Sequence, residues 1–184
     1  IYPDYSSAYS FRAETYLHQE KYVNAIDDIC RALEIDGDKK AINQLFKFPK
    51  DKINLVVAKL KSYCTKHPLE PDYWYYIGQV YANIEKYIES NDAYNKFLGI
   101  DHNDQIVSFI SNNYVLLADY DNALAYINQA IQLDPENENY LVDKADILTK
   151  MGVYEQAISI WASLVEAHPD YLLCDIAPAE IYNR

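Results

Sequence analysis

The stretch that decides the fold is Trp74-Tyr75-Tyr76-Ile77-Gly78-Gln79-Val80-Tyr81, followed at helical spacing by Tyr87, Ser90, Tyr94 and Phe97. Trp74, Ile77, Gly78 and Tyr81 stand at i, i+3, i+4 and i+7, one face of a helix. The second set resumes that periodicity after a short break around Glu85, so the segment reads as two antiparallel helices joined by a tight turn. A lone hairpin cannot bury its apolar face. It needs neighbours of its own kind.

Those neighbours are present in the chain. The pattern "Tyr, two residues, small residue" recurs as Tyr22…Ala25, Tyr87…Ser90, Tyr120…Ala123 and Tyr154…Ala157, with the small residues 65, 33 and 34 apart. Sixty-five is close to two periods, which places a hidden copy near residue 56, where Val56 stands. Seven residues beyond each small residue comes another core position: Ala32, Phe97, Ala130 and Leu164, with Tyr63 in the hidden copy. Pro3, Pro68, Pro135 and Pro169 each fall just past a second helix, where a residue without an N–H stops propagation.

The unit resembles the tetratricopeptide repeat (TPR), a 34-residue helix-turn-helix with an aromatic residue, a Leu-Gly pair and a Tyr in its first helix. Trp74, Ile77, Gly78 and Tyr81 match that first helix, and Ala123, Ala130 and Pro135 match the second half. Only this copy has the Trp-plus-Gly pair. Elsewhere Tyr9 and Ala13, Val107 and Ser111, and Leu141 and Ala145 stand in its place, so a small residue persists where two helices nearly touch. The resemblance implies an all-α, right-handed α-solenoid without strands.

Laid out on the chain as a single solenoid over residues 1–184, residues 1–5 end a preceding repeat and 6–36 form repeat one. A divergent repeat two occupies 37–70, followed by 71–103, 104–137 and 138–171. Residues 172–184 open a further repeat, with Pro178 at its first turn. In repeat two the first helix is expected over 39–48, with Gln44 in the small-residue slot, and Pro49 is expected to start the second helix. The chain begins at Ile1, and Ile1-Tyr2-Pro3-Asp4 parallels Leu133-Asp134-Pro135-Glu136, so the expectation is a piece of a longer protein of undetermined compartment.

Composition narrows the function classes. A net charge of −12 argues against nucleic acid, whose phosphates reward basic surfaces. No apolar run approaches the roughly 20 residues that span a bilayer. Cys30, Cys64 and Cys174 are widely spaced and imply neither a disulfide framework nor zinc; buried thiols are expected. His67, His102 and His168 fall at or past the ends of second helices, which suits interaction with the helix dipole rather than ligation. The acids of Asp119-Tyr120-Asp121-Asn122 start a helix; they lack the glycine and final Glu of a calcium loop. With no phosphate loop, metal motif or nucleophile elbow, the reading is no enzyme, no cofactor and no metal site.

The resemblance places function on the concave groove, lined by first-helix residues that do not face the core. Its candidates are Ser10, Glu14, Tyr75, Gln79, Ser108, Asn112, Val142 and Asp146, flanked by Tyr76, Asn83, Phe109 and Asp143. The family's chaperone-binding members clamp a terminal carboxylate with Lys, Arg and Asn at such places; only Asn112 fits here, so a carboxylate clamp is rejected. Tyr75 and Tyr76 suit a platform for an extended peptide or a sugar ring, or else pack between first helices.

Residues 39–66 carry a net +7 against −19 for the remainder. Lys52, Lys59, Lys61 and Lys66 are therefore a candidate basic patch, either a solvated face or a contact for an acidic partner or a second copy of the chain. The implied role is a scaffold binding a peptide or a partner subunit. Two alternatives stay open: a non-catalytic targeting or regulatory segment of a larger enzyme, and an envelope-associated module that recruits glycans or outer-membrane components.

Overall fold

A computed structural model describes residues 5–37 and 39–167. The expectations for Pro3, Pro169, His168, Cys174 and the further repeat at 172–184 lie outside the described residues, as do residues 1–4 of the preceding repeat. Among the described residues there are ten α-helices and no strand. They are α1 (Ser6–His18), α2 (Tyr22–Asp36), α3 (Lys39–Leu45), α4 (Ile53–Lys66), α5 (Asp72–Asn83), α6 (Tyr87–Leu98), α7 (Asp104–Leu116), α8 (Tyr120–Leu133), α9 (Glu138–Lys150) and α10 (Tyr154–Ala167). The all-α class expected from the period holds. The helices group into two compact units, one within residues 1–102 and one within 103–184.

In the first unit α1 packs on α2 and α5 on α6. Ala25, Val56 and Ser90, the small or branched residues that set the period, are all fully buried. Gly78 shows why its slot must be small, since a Cβ there would lie 2.3 Å from Cε1 of Tyr94. That ring is 1% exposed and fills the space the glycine leaves. Arg12 donates two 2.7 Å hydrogen bonds to the carboxylate of the buried Asp28, fastening α1 to α2. A bidentate pair of this kind fixes geometry as well as charge.

The turns between paired helices repeat with the same spacing as the core. Glu20, Glu85, Ala118 and Gly152 all have left-handed backbone, with φ of 57°, 64°, 56° and 77°. Each sits immediately before the residue that leads into the second helix of its pair. The left-handed residue reverses the chain within one turn, and three of the four lack the glycine that adopts this conformation at least cost.

Repeat two departs from the expectation in two places. Its first helix stops at Leu45 instead of Phe48, because Pro49 forces the preceding residue out of helical backbone. Pro49 does not open the long second helix: it is extended (φ −58°, ψ 148°) and precedes a 3-10 turn at Lys50–Lys52, after which α4 begins. Short as it is, α3 packs on α1 and α2, while α4 packs on α2 and α5. Gln44 occupies the slot reserved elsewhere for a small residue and is fully buried. Its Nε2 donates a 2.8 Å hydrogen bond to the Ser10 carbonyl, one period earlier, while its Oε1 is buried without a partner among the described residues.

In the second unit α7 pairs with α8 and α9 with α10, and α9 also packs on α8. Ala123, Ala145 and Ala157 are fully buried at the contacts. Asp119 caps α8, accepting from the Asn122 backbone N–H at 3.2 Å and from its side-chain amide at 2.7 Å, the helix-starting role expected of those acids. The Tyr140 hydroxyl donates to Asp104, tying α9 to the first residue of α7. No helix among the described residues is long and apolar enough to cross a membrane.

Candidate functional site

In the first unit the groove candidates divide sharply by exposure. Ser10 is fully buried and Tyr76 is 7% exposed, so neither presents a side chain to a ligand along a groove. This corrects the assignment of both. Ser10 lies beneath α3, whose Gln44 reaches its carbonyl, and Tyr76 is packed edge-on by Tyr73 and Tyr75, with centroids 6.2 and 5.6 Å away. Tyr75 is half-buried, Gln79 is half-buried and Asn83 is exposed, all on α5. Gln79 is fixed by a 2.9 Å hydrogen bond from its Nε2 to the hydroxyl of the buried Tyr94, which leaves its carbonyl oxygen as an acceptor.

Glu14 is engaged within the molecule. Lys40 lies 2.7 Å from its carboxylate and Lys47 3.1 Å, and these two bonds hold its pKa below the usual carboxylate range. Lys40 also stands 3.6 Å from the centroid of the exposed Phe11 ring, a cation–π contact.

The lysine patch is partly neutralised by the same unit. Lys59 pairs with Asp27 of α2 and Lys52 with its neighbour Asp51 at 2.7 Å. Lys66 lies 4.6 Å from the Tyr63 ring centroid, and Lys61 is exposed. Lys59 thus meets an opposite charge within its own unit. One period separates α2 from α4 in sequence, and their packing brings acid and base together.

In the second unit Ser108 is 6% exposed, and its hydroxyl turns back to the Gln105 carbonyl at 3.1 Å. It is withdrawn from the surface, a further correction, because a short side chain on a packed helix satisfies its own backbone first. Asn112 is exposed, and Asp146 is exposed and paired with Lys150. Asp143 is half-buried, and its pKa is raised by that burial and then by Asp146.

The sequence reading missed a cleft of about 490 Å³ in the first unit, between the C-terminal end of α2, the residues following α4 and the first turns of α5. Glu34, Asp36, His67, Glu70 and Asp72 stand around it, with Tyr73 and Tyr76 in its wall. His67 and Tyr73 belong to a file of stacked rings, Tyr63 to Tyr73 at 5.2 Å and His67 to Tyr73 at 6.1 Å. No group of three or more His, Cys, Asp or Glu among the described residues is placed to hold a metal ion.

A family model for the tetratricopeptide repeat matches residues 115–173. Residues 115–173 carry the tetratricopeptide repeat, and the helices as a whole have the fold of tetratricopeptide-repeat proteins. Among solved structures it is similar to the MamA protein, at 13% identity over 95% of this chain and 96% of that one, with a TM-score of 0.59. It is also similar to YrrB, described as a TPR protein with an unusual peptide-binding site, at 21% identity over 77% of this chain and 75% of that one, TM-score 0.57. A tetratricopeptide repeat protein from Parabacteroides merdae gives 12% identity over 96% and 72%, TM-score 0.63. No curated protein matches the sequence.

The TPR signature explains why α5 carries the clearest surface candidates. Its Ile77 and Gly78 are buried by the repeat's own packing, which leaves Tyr75, Gln79 and Asn83 for contacts. The cleft had no comparable signal in the sequence. It is built from the ends of three helices, and helix ends lie where the amphipathic period breaks off.

Proposed function

We propose that this chain is a protein-interaction module that receives an extended segment of a partner along the first-helix face of its first unit, on Tyr75, Gln79 and Asn83. The observation that carries this reading is the fixed pair at the centre of that face. Tyr75 is held edge-on to Tyr76 at 5.6 Å, and the Gln79 amide is anchored to Tyr94 at 2.9 Å. A ring and an amide already in place lose little conformational entropy on binding, so the acceptor and the aromatic ring act as a preorganised contact. The description of YrrB as a TPR protein with a peptide-binding site supports the same use of the fold. Asn112 on α7 and the acids Asp143 and Asp146 on α9 are proposed as further contacts, each within its own unit.

The test is selection of peptides from a displayed random library on the whole chain, followed by titration of the enriched sequences. Tyr75→Ala and Gln79→Ala are expected to weaken the selected peptides at least tenfold while leaving the helical spectrum unchanged. Selected peptides that bind both variants as they bind the wild type would overturn the assignment.

A further inference from the structure

The cleft at the end of α2 has a chemistry of its own, independent of where an extended segment lies on α5. Four carboxylates, Glu34, Asp36, Glu70 and Asp72, surround it against one guanidinium, Arg31, and one imidazole, His67, which lies 3.8 Å from Glu34. Arg31 is committed to Glu34 at 3.4 Å, and Asp36 accepts from the Ser6 hydroxyl at 2.7 Å. Glu70 and Asp72 make no ion pair within the described residues. The C-terminal end of α2, capped by left-handed Gly37, adds the negative end of a helix dipole.

Two buried polar side chains open onto the same space. Tyr73 and Tyr76 are 6% and 7% exposed, and their hydroxyls make no hydrogen bond within the described residues. Both side chains line the cleft. Glu34, Glu70 and Asp72 line the same cleft as the two tyrosines, which places carboxylates and phenol groups around one volume. The rings themselves offer faces to a cation.

We infer that this cleft binds the cationic head of a basic side chain, a lysine or arginine of a partner peptide, between Glu70, Asp72 and the hydroxyls of Tyr73 and Tyr76. An ammonium or guanidinium brings donors and no acceptor, which is the complement of hydroxyl oxygens and carboxylates. It also relieves the repulsion between Glu70 and Asp72. The two tyrosines in the wall suit the methylene stem that carries such a head group.

The experiment uses the whole chain, titrated by NMR with Nα-acetyl-lysine methylamide and Nα-acetyl-arginine methylamide. The uncharged counterparts, Nε-acetylated lysine and citrulline, serve as controls. The expected result is saturable shifts centred on Gly37, Glu70, Asp72 and Tyr73 with a charged probe, at least fivefold weaker binding in Glu70→Gln/Asp72→Asn, and a smaller loss in Tyr73→Phe. Saturation by only one charged probe identifies which head group the cleft takes. Equal shifts from the uncharged probes, or shifts spread over the acidic surface and indifferent to the double substitution, would overturn the assignment. Should the double variant lose its native spectrum, Tyr73→Phe and Tyr76→Phe, which keep ring and charge, decide the matter: wild-type affinity in both would refute it.

Discussion

The Ser111 hydroxyl, on the first helix of its pair, donates a 2.8 Å hydrogen bond to the carbonyl of Ala123 on the second. One period earlier the arrangement is inverted, with Ser90 on the second helix donating at 2.9 Å to the carbonyl of Gly78 on the first. Positions 78 and 111 correspond, as do 90 and 123. The contact therefore fixes the size of both residues but not which helix carries the hydroxyl. A serine is small enough for either side, and a carbonyl across the contact satisfies it there.

Losing the hydroxyl and overfilling the slot should differ in cost. Ser111→Ala removes a buried hydrogen bond and should lower stability by about 1 kcal/mol, and Ser90→Ala, whose hydroxyl also hydrogen-bonds with Tyr94, should cost at least as much. Gly78→Ala should cost roughly 1–3 kcal/mol, because the new methyl meets the Tyr94 ring in a packed interior. Urea denaturation midpoints measure both. If Gly78→Ala raises the midpoint, as it would in an exposed helix, the slot is not closed.

The left-handed turns give a pair of opposite signs. Ala118→Gly should raise stability by roughly 1 kcal/mol, since a residue with a Cβ is held at φ 56° there. Gly152→Ala should lower it by a similar amount through backbone alone, because nothing lies within 4 Å of where its Cβ would be. Thermal or urea unfolding checks the signs.

Most of the fold was legible because its determinants are small residues at a fixed interval. Ala25, Val56, Ser90, Ala123 and Ala157 are fully buried, and one helix face can be read from one strip of sequence. Repeat two was harder to read because Gln44 looks wrong for its slot. Its acceptor, the Ser10 carbonyl, belongs to a different helix pair and leaves no trace in local pattern. Exposure was legible where it follows from position in the helix, as at Asn83 and Asn112. Ser10, Tyr76 and Ser108 failed because α3, the neighbouring tyrosines and the helix's own backbone take them up. The cleft around Tyr73 draws on three helix ends, which periodicity does not connect.

The buried thiols predict a pH and reactivity profile. Burial pushes Cys30 up to about 12 and Cys64 up to about 11, against roughly 8.5 for an exposed thiol. A folded pKa above the unfolded value means that this contribution to stability is complete below about pH 8.5 and is lost as pH rises through the folded values. In a Cys174→Ser background, alkylation by iodoacetamide at pH 8 should be at least a hundredfold slower in the native chain than in urea. Comparable rates in the two conditions would show that the thiols are accessible.

The pairing of Lys59 with Asp27 changes what reversal of the lysine patch should do. Lys59→Glu sets two carboxylates together between α2 and α4, so it should lower stability by less than about 1 kcal/mol, the range of partly exposed pairs. Adding Asp27→Lys should restore the loss, because the swapped pair is again of opposite sign. Lys61 is exposed, and its reversal should leave stability unchanged. If the patch contacts an acidic partner or a second copy of the chain, Lys61→Glu should weaken that association at low salt. The difference should vanish as the Debye length shortens from about 10 Å at 0.1 M to about 3 Å at 1 M. Urea midpoints report the first effect and sedimentation at the two salt concentrations the second. A Lys61→Glu chain that sediments like the wild type at both, alone and with a partner captured by the whole chain, would reduce the patch to a solvated face already half neutralised from within.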